Sequence, residues 1–107
     1  MIYCFDLDGT LCTNTFGKYL EAQPFVDAIR EVNKLYNEGH TIIIDTARGG
    51  TSKINWYEDT KNQLELWGLK YHRLRVGEKI HADLFIDDKA INALNWLDTL
   101  KSKGENV

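Results

Sequence analysis

The chain opens on a short apolar run, Ile2 to Leu7, that stops at Asp8-Gly9. Such a run, with no polar alternation, predicts a strand buried on both faces, as in a parallel sheet. From Pro24 the apolar spacing becomes helical: Phe25, Ile29, Val32 and Tyr36, flanked by Ala28 and Leu35, form one stripe that ends at Gly39. Thr41 to Asp45 is a second strand, β-branched at most positions, and Ala47 to Asn55, containing Gly49-Gly50, is a loop at its carboxyl end. Asn55 and Glu58 have the spacing of a capping box for a second helix, in which Thr60, Leu64 and Trp67 share a face before Gly68. Tyr71 to Val76 and Asp83 to Ile86 read as two further strands. After Asp87-Asp88, the residues Ala90, Ile91, Leu94, Leu97 and Lys101, with Ala93, Trp96 and Leu100, describe a last amphipathic helix.

Strands alternating with helices predict an α/β fold with a mainly parallel sheet of about four strands. The 107 residues, 43% of them hydrophobic, suit one core and so a single domain spanning 1–107. In open sheets of this kind ligands bind beyond the carboxyl ends of the strands.

A net charge of −3 argues against a nucleic-acid binder that relies on a broad positive field, and leaves a small anionic substrate open. No apolar stretch approaches the length of a membrane span, and the first residues lack the basic start and cleavage site of a signal peptide, so a cytoplasmic location is expected. Cys4 and Cys12 make no disulfide framework; Cys4, inside the first apolar run, reads as a small buried thiol.

The carboxyl ends of the predicted strands carry the chemistry: Asp6-Leu-Asp8 on the first, Asp45-Thr46 on the second, Asp87-Asp88 on the fourth. Carboxylates collected in one crevice repel unless a cation neutralises them. Magnesium suits an all-oxygen set, whereas His40, His72 and His81 lack the close spacing that zinc ligands need.

With Asp6-Leu-Asp-Gly-Thr-Leu11 as a first motif, and Thr46, Lys79 and Asp87-Asp88 following in order, the chain resembles the haloacid dehalogenase superfamily over its whole length. The resemblance implies a three-layer Rossmann-like core and a magnesium-dependent phosphoryl-transfer enzyme. Asp6 would be the nucleophile that forms an aspartyl-phosphate, and Asp8 the general acid and base, its backbone carbonyl also reaching the metal. Gly9 and Thr10 would shape a loop whose amides face the phosphate. Thr46, followed by Ala47 at the substrate side, would donate a hydroxyl to a phosphate oxygen, and Lys79 would hold phosphate and Asp6 together, with Lys89 and Lys53 as its rivals. Asp87 and Asp88 would complete a magnesium shell with Asp6 and Asp8. Arg48 is placed to meet a second anionic or hydroxyl-rich part of the substrate.

Fifteen residues between Asp8 and Pro24, and one loop, helix and strand between Ala47 and Glu78, leave no room for the cap domain such enzymes often carry. A capless site favours hydrolysis over transfer and is covered either by a large substrate or by a neighbouring copy of the chain. The loop Thr13 to Gln23, with Phe16, Lys18 and Tyr19, is the nearest local substrate contact. Small stand-alone members of this kind suggest a phosphorylated sugar or similar metabolite as substrate. Two rivals stand beside this reading. One is a phospho-acceptor signalling module, whose acceptor belongs on a third strand; the other is a silent binding domain using Trp56, Tyr57 or Trp96.

Overall fold

The computed structural model describes residues 1–50, 54–79, 83–84 and 88–102. Its elements are β1 (Ile2–Asp6), α1 (Val26–Asn37), β2 (Thr41–Thr46), α2 (Tyr57–Leu66), β3 (Arg73–Val76) and α3 (Ala93–Ser102), with a 3-10 turn at Tyr19–Glu21 between β1 and α1. The three strands lie parallel in the order β1-β2-β3. Register sets Phe5 beside Ile44, Asp6 beside Asp45, and Asp45 beside Arg75.

Both early helices end as their glycines predict. His40 N–H bonds to the Leu35 carbonyl and Gly39 N–H to that of Tyr36; Leu69 and Gly68 repeat the pattern on Leu64 and Glu65. These paired bonds are Schellman closures, in which glycine takes the left-handed position that satisfies the last carbonyls. The expected Asn55–Glu58 capping box is replaced by a simpler device. Trp56 is the N-cap residue of α2 and makes no side-chain capping bond, while Asn55 Oδ1 accepts from the Tyr57 amide at 3.0 Å.

Side chains alternate across the sheet. Ile42, Ile44 and Leu74 join one buried cluster with Ala28, Ile29 and Val32 of α1, Leu64 of α2 and Leu100 of α3; Tyr3, Phe5 and Val76 pack against it. All three helices thus cover the same face. The opposite face carries Ile2, Cys4, Thr41 and Arg73, all exposed, and Ile43, Asp45 and Arg75, half-buried. Among the described residues the architecture is therefore two layers with three strands, where three layers and about four strands were expected.

This corrects two expectations about β1. It is an edge strand of the described sheet with no fully buried residue, and Cys4 is exposed because it points to the face that no described helix covers. The fourth strand expected at 83–86 falls largely outside the described residues; Asp83 and Leu84 are exposed and outside any strand. The third strand begins two residues late because the His72 side chain intervenes, its Nδ1 accepting the Ile42 amide at 3.0 Å. The last helix begins at Ala93, where Asn92 Oδ1 accepts from the amides of Leu94 and Asn95 as an N-cap. Ile91 and Leu94 consequently face solvent, and Trp96, Leu97 and Leu100 make the core contact.

Candidate functional site

Asp6 ends β1, and Thr46 ends β2 at the same edge of the sheet. Lys79, three residues beyond β3, reaches back so that its Nζ donates to Asp6 Oδ1 at 3.2 Å. Asp6 and Lys79 keep side-chain exposures of 43% and 25%, so a ligand has access to both. Lys89 instead lies exposed in the turn beside Asp88, and Lys53 falls outside the described residues.

Asp45 shares the sheet face of Asp6 by register, and its Oδ1 is buried without a hydrogen-bond partner among the described residues. Asp45 and Asp6 thus stand side by side on that face, with Arg75 next to Asp45 by register and Lys79 on Asp6. A hard cation satisfies such a pair, and magnesium is content with one or two carboxylates together with waters and a phosphate. No group of three or more His, Cys, Asp or Glu side chains among the described residues is close enough to hold an ion by itself. Asp87 lies outside the described residues, and Asp88 is exposed in a turn.

Asp8 and Arg48 form the most developed polar contact among the described residues. Arg48 Nε donates to Asp8 Oδ2 at 2.9 Å and Nη2 to Oδ1 at 2.8 Å, a bidentate pair. Arg48 is 1% exposed, the largest fully buried side chain described. Its Nη1 donates to Gln63 Oε1 at 2.7 Å and to Thr60 Oγ1 at 3.3 Å, its Nη2 also approaches Cys12 Sγ at 3.9 Å, and the Tyr19 ring lies 4.8 Å from its Cζ. All five guanidinium N–H groups are thereby occupied. Arg48 was expected to meet substrate from an open loop; the structure sets it on Asp8, with no donor left over.

The remaining acceptor positions of Asp8 are filled as well. Thr46 Oγ1 donates to Oδ2 and Cys12 Sγ to Oδ1, both at 3.5 Å. Burial first, and then the Asp8 charge, push the Cys12 thiol up from an ordinary 9.0 to about 12. Cys4 is also raised, by the partial desolvation of its thiol between neighbouring side chains and then by Asp45.

The loop after β1 closes on itself: Gly9 N–H bonds to the Cys12 carbonyl at 2.8 Å and Thr10 N–H to that of Leu7 at 3.1 Å. Gly9 and Thr10 shape the loop as expected of them, and their own amides hold its turn. In the loop after β2, the exposed Ala47 accepts from Gly50 N–H at 2.9 Å. Gly49, at φ 80°, leaves no room for a side chain, since a Cβ there would run into the Ile54 carbonyl and the Trp56 ring. That tight seat fixes the backbone of Arg48. In the 13–23 loop Phe16 is 90% exposed, whereas Tyr19 is turned inward, edge-on to Trp56. Gln63 is a residue the sequence does not single out, and Thr60, which it places on the apolar face of α2, takes a second part there as an acceptor for Arg48.

A small α/β domain with a parallel sheet, whose carboxyl edge gathers acids, a lysine and a threonine, is the class these observations define. No helix of the described residues is long and apolar enough to cross a membrane. Comparison with protein-family models and with curated proteins yields no match. Among solved structures the chain is similar to the crystal structure of an MCSG target from Vibrio cholerae, with a TM-score of 0.74 and 25% sequence identity. The alignment covers 97% of this chain and 98% of that one.

Proposed function

We propose that the protein is a magnesium-dependent phosphatase of the haloacid dehalogenase type, hydrolysing a small phosphorylated substrate through an aspartyl-phosphate on Asp6. The Asp6–Lys79 pair, made across 73 residues of chain yet open to solvent, carries the reading. An exposed ion pair adds little stability, so its placement at the sheet edge where α/β proteins bind ligands points to use.

In the first step an Asp6 oxygen forms a bond to phosphorus while the ester P–O bond breaks, and the leaving oxygen takes a proton from Asp8. In the second, water attacks the same phosphorus, Asp8 takes its proton, and Asp6 leaves as carboxylate with inorganic phosphate released. Lys79 holds Asp6 and the phosphoryl group together, and Thr46 Oγ1 turns from Asp8 to a phosphate oxygen. Asp6, the Asp8 carbonyl and Asp45, with Asp87 and Asp88, would be the oxygen donors for magnesium, which would offset phosphoryl charge. A phosphorylated sugar is the substrate class we favour, in a cytoplasmic, capless enzyme whose open site a second copy of the chain could cover.

The test is hydrolysis of p-nitrophenyl phosphate with magnesium. The expected result is turnover that disappears with EDTA and in Asp6→Asn; full activity in Asp6→Asn overturns the mechanism.

A further inference from the structure

We infer that Arg48 is a positioning residue for the proton-transfer group Asp8, and that Gln63 ties this clamp to the 13–23 loop. The inference rests on the phosphatase reading above and specifies how its acid and base is held. Arg48 cannot act on substrate, because each of its five donors already has a protein partner and its side chain is 1% exposed.

A carboxylate offers about four acceptor positions. On Asp8 two are taken by Arg48 at 2.8 and 2.9 Å, and the other two by Cys12 and Thr46 at 3.5 Å. The long contacts are the weak ones. Cys12 and Thr46 are both buried, at 0% and 1% exposure. Of the two, Thr46 ends β2 at the sheet edge where a phosphate would sit, so the position on Oδ2 facing it is the one a substrate vacates. When Thr46 turns to a phosphate oxygen, Asp8 gains one free position for a proton, with its carboxyl plane still held by the guanidinium fork.

Gln63 fixes the fork from the other side. Its Oε1 accepts from Arg48 Nη1 at 2.7 Å and its Nε2 donates to the Tyr19 carbonyl at 2.9 Å. The Tyr19 ring lies against the same guanidinium. A continuous path of hydrogen bonds therefore runs from the loop through Gln63 and Arg48 to Asp8, linking what touches that loop to the orientation of the proton donor.

The experiment compares two esters in Arg48→Lys and Gln63→Met. A nitrophenolate departs without needing a proton, whereas an alkoxide needs one, and kcat/KM reports the step in which the ester bond breaks. Lysine keeps the charge but cannot reproduce the two-pronged contact. For β-glycerophosphate, kcat/KM should fall about 100-fold in Arg48→Lys and about tenfold in Gln63→Met. For p-nitrophenyl phosphate each fall should be about tenfold smaller. Thermal unfolding checks that each variant is folded, and Gln63→Met decides the matter if Arg48→Lys is not. Equal losses on both esters, or none, overturn the positioning role alone. A wild-type protein that hydrolyses neither ester overturns the phosphatase reading, and the positioning role falls with it.

Discussion

Asp8→Asn should destabilise the protein as well as slow it, and the two effects have separable causes. The substitution leaves the Arg48 guanidinium, 1% exposed, without its carboxylate. Asparagine can accept one of the two hydrogen bonds at 2.8 and 2.9 Å, but its amide then faces guanidinium N–H groups, donor against donor. Breaking a buried ion pair from one side costs about 3–5 kcal/mol, because a charge stays behind unpaired. With 17% of the Asp8 side chain exposed, the lower end applies, about 3 kcal/mol. For a domain of this size that is a drop in Tm of about 15 °C. Urea titration followed by circular dichroism measures it, with an unchanged m-value as the sign that only stability moved. Adding Arg48→Met to Asp8→Asn should recover part of the loss, since the stranded charge is then gone. An Asp8→Asn variant within about 0.5 kcal/mol of wild type refutes the clamp. Asp6→Asn provides the contrast: its pair with Lys79 is 43% and 25% exposed, so stability should change by less than about 1 kcal/mol while turnover vanishes.

Cys12 has its folded-state value raised to about 12 from 9.0; the fold therefore prefers the neutral thiol. That preference is fully present below pH 9 and drains away as pH rises toward 12. Between pH 8 and pH 11 wild type should lose about 2–3 kcal/mol more than Cys12→Ala, and parallel losses in urea titrations at the two pH values argue against it. Native protein should also react with a thiol reagent at the exposed Cys4 and withhold the buried Cys12 until unfolded; two thiols modified in the native state contradict this. Gly49→Ala should be the worse of two glycine substitutions at positive φ. Gly39 has open space where a Cβ would go, but at Gly49 the Ile54 carbonyl and Trp56 ring occupy it. Unfolding free energies should differ by about 2 kcal/mol, and equal values sink the packing argument.

Much of the local structure was legible because its causes are local. The stripe of α1, the glycine closures at Gly39 and Gly68, and the polar residues ending β1 and β2 each depend on neighbours within a turn or a strand. The start of α3 was misread because apolar spacing was followed back through Ile91, while the backbone obeyed the Asn92 cap. Cys4 is exposed despite its apolar run, because such a run says nothing about whether both sheet faces are covered. Arg48 shows the deeper limit. It follows a strand-end threonine in a glycine loop, which looks like a surface position, yet its partners are 40 residues upstream in Asp8 and 15 residues downstream in Gln63. Only the folded arrangement brings α2, the first loop and the second loop around one guanidinium. The Asp6–Lys79 pairing was reached by motif order, and no spacing rule alone would have preferred Lys79 to Lys89.

Direct detection of the covalent intermediate tests the central claim. Protein mixed with magnesium and p-nitrophenyl phosphate, quenched in acid during turnover and examined by peptide mass spectrometry, should carry one phosphoryl group on the peptide containing Asp6. The Asp6→Asn variant should carry none. A protein that turns over the ester while Asp6 remains unmodified, or that is phosphorylated on another residue, contradicts the account.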